Sequence, residues 1–260
     1  MEDDIKRIAR KAVTAGGAVL TKYFGKIKSI DYKGDIDIVT EADQESEQKI
    51  ISIIKEAYPT HRIVAEETGD SGTKSPFTWI IDPLDGTTNY AHGYPCFCVS
   101  IAIEHEEKIS FGIIYDPVRK ELFTAEKGKG SYLNGSPINV SSEEKLNTSL
   151  LCTGFPYDVR EDMDSNIHHF RNFLMKAQAV RRDGSAALDL CYTAAGRFDG
   201  FWEQKLHPWD VAAGSLIVSE AGGKVSTYSG KPFSIYGTEL AASNGIIHNQ
   251  MLDVLGRMKD

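Results

Sequence analysis

Residues Trp79 to Asn89 read WIIDPLDGTTN, and this stretch constrains the chain more than any other. Trp79, Ile80 and Ile81 form a short apolar run of the kind that sits inside a sheet. Pro83 has no N–H to give a ladder, so the strand is expected to end there. Asp82 and Asp85 are then held at a strand's carboxyl end, where open α/β sheets place their ligands. Two adjacent carboxylates repel each other unless something positive lies between them. Gly86 and the following Thr87-Thr88 read as the start of a helix, whose free N–H groups favour an anion. Acid and bare amides side by side ask for a cation and an anion together.

Other carboxylates stand at comparable positions. Glu66 and Glu67 follow the apolar run Ile63-Val64-Ala65, Asp210 begins a helix after His207-Pro208-Trp209, and Asp43 lies near the start of another helix. Each has a plain structural reading. Asp43 and Asp210 suit a helix N-terminus electrostatically, Glu66 and Glu67 could be a solvated loop, and Asp82 and Asp85 a turn. The strand-end position weights the last pair towards function. Ligation by carboxylates alone, without His or Cys, suits Mg²⁺ or Mn²⁺ better than zinc. Such ions invert the sign of an acidic cleft and let a phosphate ester settle beside the amides. His92, His168, His169 and His207 are scattered, and nothing resembles a Ser-His-Asp nucleophile.

Helical spacing of Ile5, Ile8, Ala12, Val13, Val19, Leu20 and Tyr23 predicts an amphipathic helix over 3–24. Thr40 with Asp43 three residues on reads as a capping box for a second helix, which Pro59 follows. Strand-like runs at 62–65 and 79–82 come next. Segments 97–104, 109–115 and 121–125 then read as successive antiparallel strands, with Asn134-Gly135 a turn after them. From about 149 the pattern alternates: strand 149–153, helix 162–176, strand 178–181, helix 185–195, strand 198–202, helix 209–221, strands 223–227 and 240–243, and a closing helix from about 246. No linker, repeat or low-complexity run separates the halves. The reading is one unit over 1–260, α+β in about 1–148 and α/β in about 149–260, with a ligand cleft between them.

A net charge of −8 argues against a general nucleic-acid or anionic-membrane surface. No apolar run approaches the ~20 residues that span a bilayer, and the start MEDDIKRIARK is charged and periodic, so a cytoplasmic location is expected. Cys96, Cys98, Cys152 and Cys191 follow no metal or disulfide spacing. Cys96 and Cys98 are expected to face one side of a strand as small core residues, reduced as the other two.

IDPLDGTTN, preceded by AEE and VTEADQ and followed by GSAALDL, HPWDVAAG and SEAGG, resembles the inositol monophosphatase family of Mg²⁺-dependent, lithium-sensitive phosphatases. The resemblance covers essentially the whole chain and implies that family's layered αβαβα sandwich, of the sugar-phosphatase type. It makes Glu66, Asp82 and the Leu84 carbonyl ligands of a first metal, and Asp82, Asp85 and Asp210 ligands of a second. Glu67 would hold a weaker third through water. Two or three Mg²⁺ ions per site are implied, with Mn²⁺ an alternative. Thr87, polarised by Asp43, would orient the attacking water, while the Gly86 and Thr87 amides hold the phosphate. Glu203, Asp210 and the Ser185-Ala186 backbone would meet the alcohol half of the substrate. Lys33 matches a lysine near the site in the family. The chemistry implied is in-line displacement at phosphorus without a covalent phospho-enzyme, in a homodimer.

Three functions follow from this reading. The first is hydrolysis of inositol monophosphates and similar polyol phosphates. The second is the same site on fructose 1,6-bisphosphate, for which Arg181-Arg182 offer a bidentate grip on a second phosphate unless they are solvated strand-end charges. The third is a binding protein acting through the transcription machinery, against which the intact ligand set argues.

Overall fold

A computed structural model describes residues 3–26, 30–32, 38–160 and 166–256. Helices are α1 (Asp3–Tyr23), α2 (Glu41–Ala57), α3 (Thr87–Ala91), α4 (Ile167–Leu174), α5 (Ala186–Ala194), α6 (Pro208–Glu220) and α7 (His248–Leu255). Strands are β1 (Ile30–Tyr32), β2 (Ile38–Thr40), β3 (Arg62–Ala65), β4 (Gly69–Asp70), β5 (Phe77–Asp85), β6 (Cys98–His105), β7 (Lys108–Asp116), β8 (Glu121–Glu126), β9 (Ser131–Leu133) and β10 (Ser136–Ile138) in the first half. The second half adds β11 (Leu150–Thr153), β12 (Ala179–Arg181), β13 (Gly200–Gln204), β14 (Lys224–Ser226) and β15 (Glu239–Ser243).

An eight-stranded sheet, ordered β10-β9-β8-β7-β6-β5-β3-β4, and a five-stranded sheet, ordered β12-β11-β13-β15-β14, carry the layers. The period-2 alternation of strand side chains explains the stacking. Along β5, Trp79 and Ile81 enter the core formed with α1 and α2, while Ile80 enters the core shared with α5 and α6. Along β13, Phe201 joins that central core and Trp202 joins a third core with α4 and α7. The result is five layers: α1 and α2, the large sheet, α5 and α6, the smaller sheet, then α4 and α7. This is the αβαβα sandwich expected.

α6 is apolar on every side, with Val211 to Val218 all buried, because both of its flanks meet a layer. Its capping box uses His207 and Asp210, with Pro208 in the first turn where its missing N–H costs nothing. The Thr40–Asp43 box at α2 forms as expected. Asn134 and Gly135 have φ of 50° and 82°, the paired left-handed conformations of a tight hairpin between β9 and β10.

One expectation needs correcting. Pro83 does not end β5, which continues to Asp85, where pairing with Cys98 resumes after a register shift from Asp82. The proline's missing donor falls inside this bulge, as bulges in strands allow. The bulge lets both aspartates serve one wall. The short strands β1, β2, β4, β9 and β10 were not expected from the sequence. The helix expected over 162–176 is α4, and residues 161–165 lie outside the described residues.

Candidate active site

A cavity of about 300 Å³ opens between the two halves, lined by Glu66, Asp82, Leu84, Asp85, Gly86, Thr87, Ser185, Ala186, Glu203 and Asp210. β3 ends at Ala65 and delivers Glu66. The bulged end of β5 delivers Asp82 to Asp85, the N-termini of α5 and α6 deliver Ser185 and Asp210, and β13 delivers Glu203. Among the sequence-derived site residues, Asp43 and Glu67 are not among those that line the cavity, and Lys33 lies outside the described residues.

Asp43 is buried and supports Thr87. Its Oδ2 accepts the Thr40 amide at 2.8 Å, and its Oδ1 lies 3.2 Å from the Thr87 hydroxyl. That hydroxyl is also 2.9 Å from the Leu84 carbonyl, and its single proton serves only one of the two at a time. Burial pushes the Asp43 carboxyl up to about 6, against the hydrogen bonds from Thr40. Glu47, one turn further along α2, accepts the Glu67 and Thr68 amides at 2.9 and 2.8 Å and so fixes the loop that carries Glu66. Glu47 escaped the sequence reading, although a buried acid on the apolar face of a helix was its signal.

Gly86 joins the halves. Its φ of +93° is left-handed, and a Cβ there would come within 2.8 Å of the Cys96 carbonyl and 3.3 Å of the Gly184 carbonyl. Asn89 secures the same junction by donating to the carbonyls of Cys96 (2.8 Å) and Asp183 (2.7 Å). Cys98 sits behind Asp85, its sulfur 3.8 Å from the carboxylate; all four cysteines are buried and free, as expected.

Asp82 Oδ1 accepts the Leu84 amide at 3.0 Å, Asp85 Oδ2 accepts the Ala187 amide at 2.8 Å and the Ser185 hydroxyl, and Asp210 Oδ2 accepts the His207 amide at 2.7 Å. Each carboxylate thus spends one oxygen on the fold and keeps another for the cavity. Among the described residues no three acidic, His or Cys side chains converge tightly on one point. Mutual repulsion keeps such groups apart until a cation offsets it. Burial drives Asp82 well above the carboxylate range, and Glu66, Asp85 and Asp210 push it further. Asp210 is raised by burial and then by Asp85. Donors that are all oxygen and all acidic, crowded enough to suppress one another's ionisation, fit a hard divalent cation.

On the far side of the cavity Glu203 packs under Gly154, where a Cβ would fall 2.2 Å from Glu203 Oε1 and 2.3 Å from Oε2. Only glycine leaves room for this carboxyl. Burial pushes Glu203 up to about 8, Arg182 opposes that and Asp85 adds to it. Both Arg181 and Arg182 are exposed, but Arg182 lines the cavity, whereas Arg181 is not among the lining residues and donates to the adjacent Val180 carbonyl.

A five-layer αβαβα sandwich with an acidic cleft at its central seam defines a class of phosphatase folds. The chain belongs to the inositol monophosphatase family, whose profile matches residues 1–257. An inositol-1-monophosphatase of Synechocystis sp. is 47% identical over 250 residues, covering 95% of this chain and 87% of that one. The Nus factor SuhB of Pseudomonas aeruginosa is 43% identical over 230 residues, covering 86% and 85%. The solved inositol monophosphatase from Anabaena (Nostoc) sp. PCC 7120 superposes with a TM-score of 0.89 at 44% identity, covering 97% of this chain and 95% of that one.

Proposed function

We propose that this protein hydrolyses inositol monophosphates to inositol and phosphate in a Mg²⁺-dependent reaction. The observation that carries the reading is the convergence on one cavity of Glu66, Asp82, Asp85 and Asp210 with Thr87 on one side and Glu203 on the other. Glu66, Asp82, the Leu84 carbonyl, Asp85 and Asp210 would hold two or three Mg²⁺ ions, or Mn²⁺ in their place, with Glu67 assisting. When bound, such ions neutralise the phosphate and act as Lewis acids on its oxygens.

The remaining work belongs to the chain. The Gly86 and Thr87 amides receive the phosphate, and the Thr87 hydroxyl orients a water in line with the ester bond. A new bond forms from the water oxygen to phosphorus as the bond from phosphorus to the inositol oxygen breaks, and the proton the water gives up is balanced by one taken up by the departing inositol oxygen. Asp43, raised to about 6, is matched to a proton relay through Thr87 near neutral pH. Glu203, raised to about 8, carries a proton at neutral pH and can both donate to and accept from substrate hydroxyls. The Ser185 hydroxyl is occupied by Asp85, so its part towards substrate falls to the backbone of Ser185 and Ala186.

The site draws on both halves of the chain, which supports a single catalytic unit over 1–260; a cytoplasmic location and a homodimeric state complete the proposal. The full acidic set supports a hydrolase over a role confined to binding the transcription machinery. One observation favours a bisphosphate as a second reading: Arg182 is at the cavity while Arg181 is not. Phosphate release from inositol 1-phosphate, fructose 1,6-bisphosphate and an aryl phosphate, in wild type and Arg182→Ala, tests both. Preference for inositol 1-phosphate that survives Arg182→Ala is expected. Preference for the bisphosphate, abolished by Arg182→Ala, would replace the first reading with the second.

A further inference from the structure

Asn166 has no part in the chemistry described so far, yet both polar atoms of its side chain are committed. It is fully buried at the start of α4. Its Nδ2 donates to the Gly154 carbonyl at 2.6 Å and to the Thr153 hydroxyl at 2.7 Å, and its Oδ1 accepts the Trp202 indole N–H at 2.7 Å. A carbonyl only accepts and an indole N–H only donates, so the orientation of the amide is fixed. The Thr153 hydroxyl gives its own proton to the Trp202 carbonyl. These buried hydrogen bonds join the end of β11 to β13, parallel neighbours in which Thr153 is paired with Trp202.

Gly154 and Glu203 follow that pair directly, and both line the cavity, whereas Asn166 does not. Both carboxyl oxygens of Glu203 press on Gly154 so closely that a Cβ there would collide with them. The place of the Gly154 backbone therefore sets the place of the carboxyl, and the Asn166 amide sets the place of that backbone. A second tie holds the same loop, from Asp158 Oδ2 to Lys205 Nζ at 2.6 Å. That pair is at the surface, with side chains 45% and 37% exposed, and such pairs constrain little. A satisfied network in the interior is the stronger constraint.

Resting on the proposed phosphatase reading, we infer that Asn166 is a positioning residue for substrate selection, which acts by holding Gly154 against the carboxyl that meets the substrate hydroxyls. Preference for a polyol phosphate over an aryl phosphate then depends on a side chain outside the cavity. The amide has two separable parts. Its donors face Gly154 and Thr153 and bear on selectivity. Its acceptor faces Trp202, which belongs to the core with α4 and α7, and bears on stability.

The test compares kcat/KM for inositol 1-phosphate and for phenyl phosphate in wild type, Asn166→Asp, Asn166→Ala and Trp202→Phe, with the thermal midpoint of each. Asn166→Asp keeps an acceptor for the Trp202 indole but sets a carboxylate oxygen against the Gly154 carbonyl, so the backbone there must shift. Misplacing a reacting group by about 1 Å can cost on the order of 10²-fold. Glu203 meets hydroxyls and not the breaking bond, so a fall of roughly tenfold is expected with inositol 1-phosphate, chiefly as a higher KM. Phenyl phosphate should stay within about twofold. Asn166→Ala adds no buried charge and should show the same selective loss, which keeps the comparison open if Asn166→Asp does not fold. Trp202→Phe removes the indole donor and leaves the bond to Gly154, so its midpoint should fall while its inositol-to-phenyl ratio stays within about twofold of wild type. A ratio unchanged in a folded Asn166 variant would overturn the inference, as would the same selective loss in Trp202→Phe. Failure of the wild type itself to release phosphate from inositol 1-phosphate would instead defeat the phosphatase reading, and the inference with it.

Discussion

Ser185 donates its hydroxyl to Asp85 Oδ2 at 2.5 Å, so the cap residue of a helix in the second half holds a carboxylate of the first. The Ala187 amide reaches the same oxygen at 2.8 Å. Asp85 is thereby fixed in orientation before any ligand arrives, with its other oxygen left towards the cavity. The order of the site depends on docking of the two halves and not on either alone.

Ser185→Ala tests this link. Loss of the cap should cost about 1 kcal/mol of stability, read as a lower midpoint in denaturant. Asp85 loses its hydroxyl donor but keeps the Ala187 amide, so the Mg²⁺ concentration for half-maximal activity should rise several-fold. An unchanged Mg²⁺ requirement would mean that Asp85 is positioned without Ser185.

Thr87→Ala should lower kcat by on the order of 10²-fold, with little change in KM, if the hydroxyl beside Asp43 orients water only as the transition state forms. Steady-state kinetics on inositol 1-phosphate separate the two parameters. A loss confined to KM would make Thr87 a substrate contact and remove the proposed role of Asp43.

Gly154→Ala places a methyl group on the Glu203 carboxylate, at 2.2 Å from its nearer oxygen. The carboxyl must turn away, and the variant should lose about tenfold in kcat/KM on inositol 1-phosphate while an aryl phosphate is spared. Equal losses on the two substrates would show that Glu203 supports the acidic wall instead.

His248 gives a pH dependence of stability with a definite sign. It is buried between Ser226 Oγ (2.8 Å from Nε2) and Ser243 Oγ (2.9 Å from Nδ1), bridging β14 and β15. Burial, and then Lys224, lower it from 6.5 to about 4. The unfolded chain therefore binds a proton that the folded chain refuses, and the stability contributed by neutral His248 is complete above pH 6.5 and lost as pH falls towards 4. The buried carboxylates titrate in the opposite sense, so the informative quantity is a difference. The gap in thermal midpoint between wild type and His248→Asn should be largest near pH 8 and shrink steadily on acidification. A gap that widens in acid would mean that folded His248 is charged.

Much of this molecule was legible in its sequence because the signals were local. The short apolar run at Trp79 to Ile81 and the periodicity of α1 and α2 pointed to their elements. So did the capping box at Thr40 and Asp43, and the helix read over 209–221, which is α6. The bulge at Asp82 to Asp85 was not legible, because a proline that interrupts a ladder and one that ends it look alike until the partner strand is known. Glu47 and Gly154 were missed for a related reason: each acts on a residue distant in sequence, through an amide in one case and through absent volume in the other. Arg181 and Arg182 look alike in sequence, because which of two adjacent exposed arginines borders the cavity depends on how the chain packs beyond the end of β12.

The central claim is that this acidic cavity hydrolyses phosphate monoesters only with a divalent cation, and Asp85 is its most direct probe. Phosphate release from inositol 1-phosphate should be measured while Mg²⁺ is titrated from excess chelator to saturation, in wild type and in Asp85→Asn. The wild type should release no phosphate in chelator, recover saturably with Mg²⁺, and be suppressed by added Li⁺. Asp85→Asn, folded to the same thermal midpoint or a higher one, should remain on the order of 10²-fold slower even at saturating Mg²⁺. Release that persists undiminished in chelator, or an Asp85→Asn enzyme that matches the wild-type rate, would contradict it.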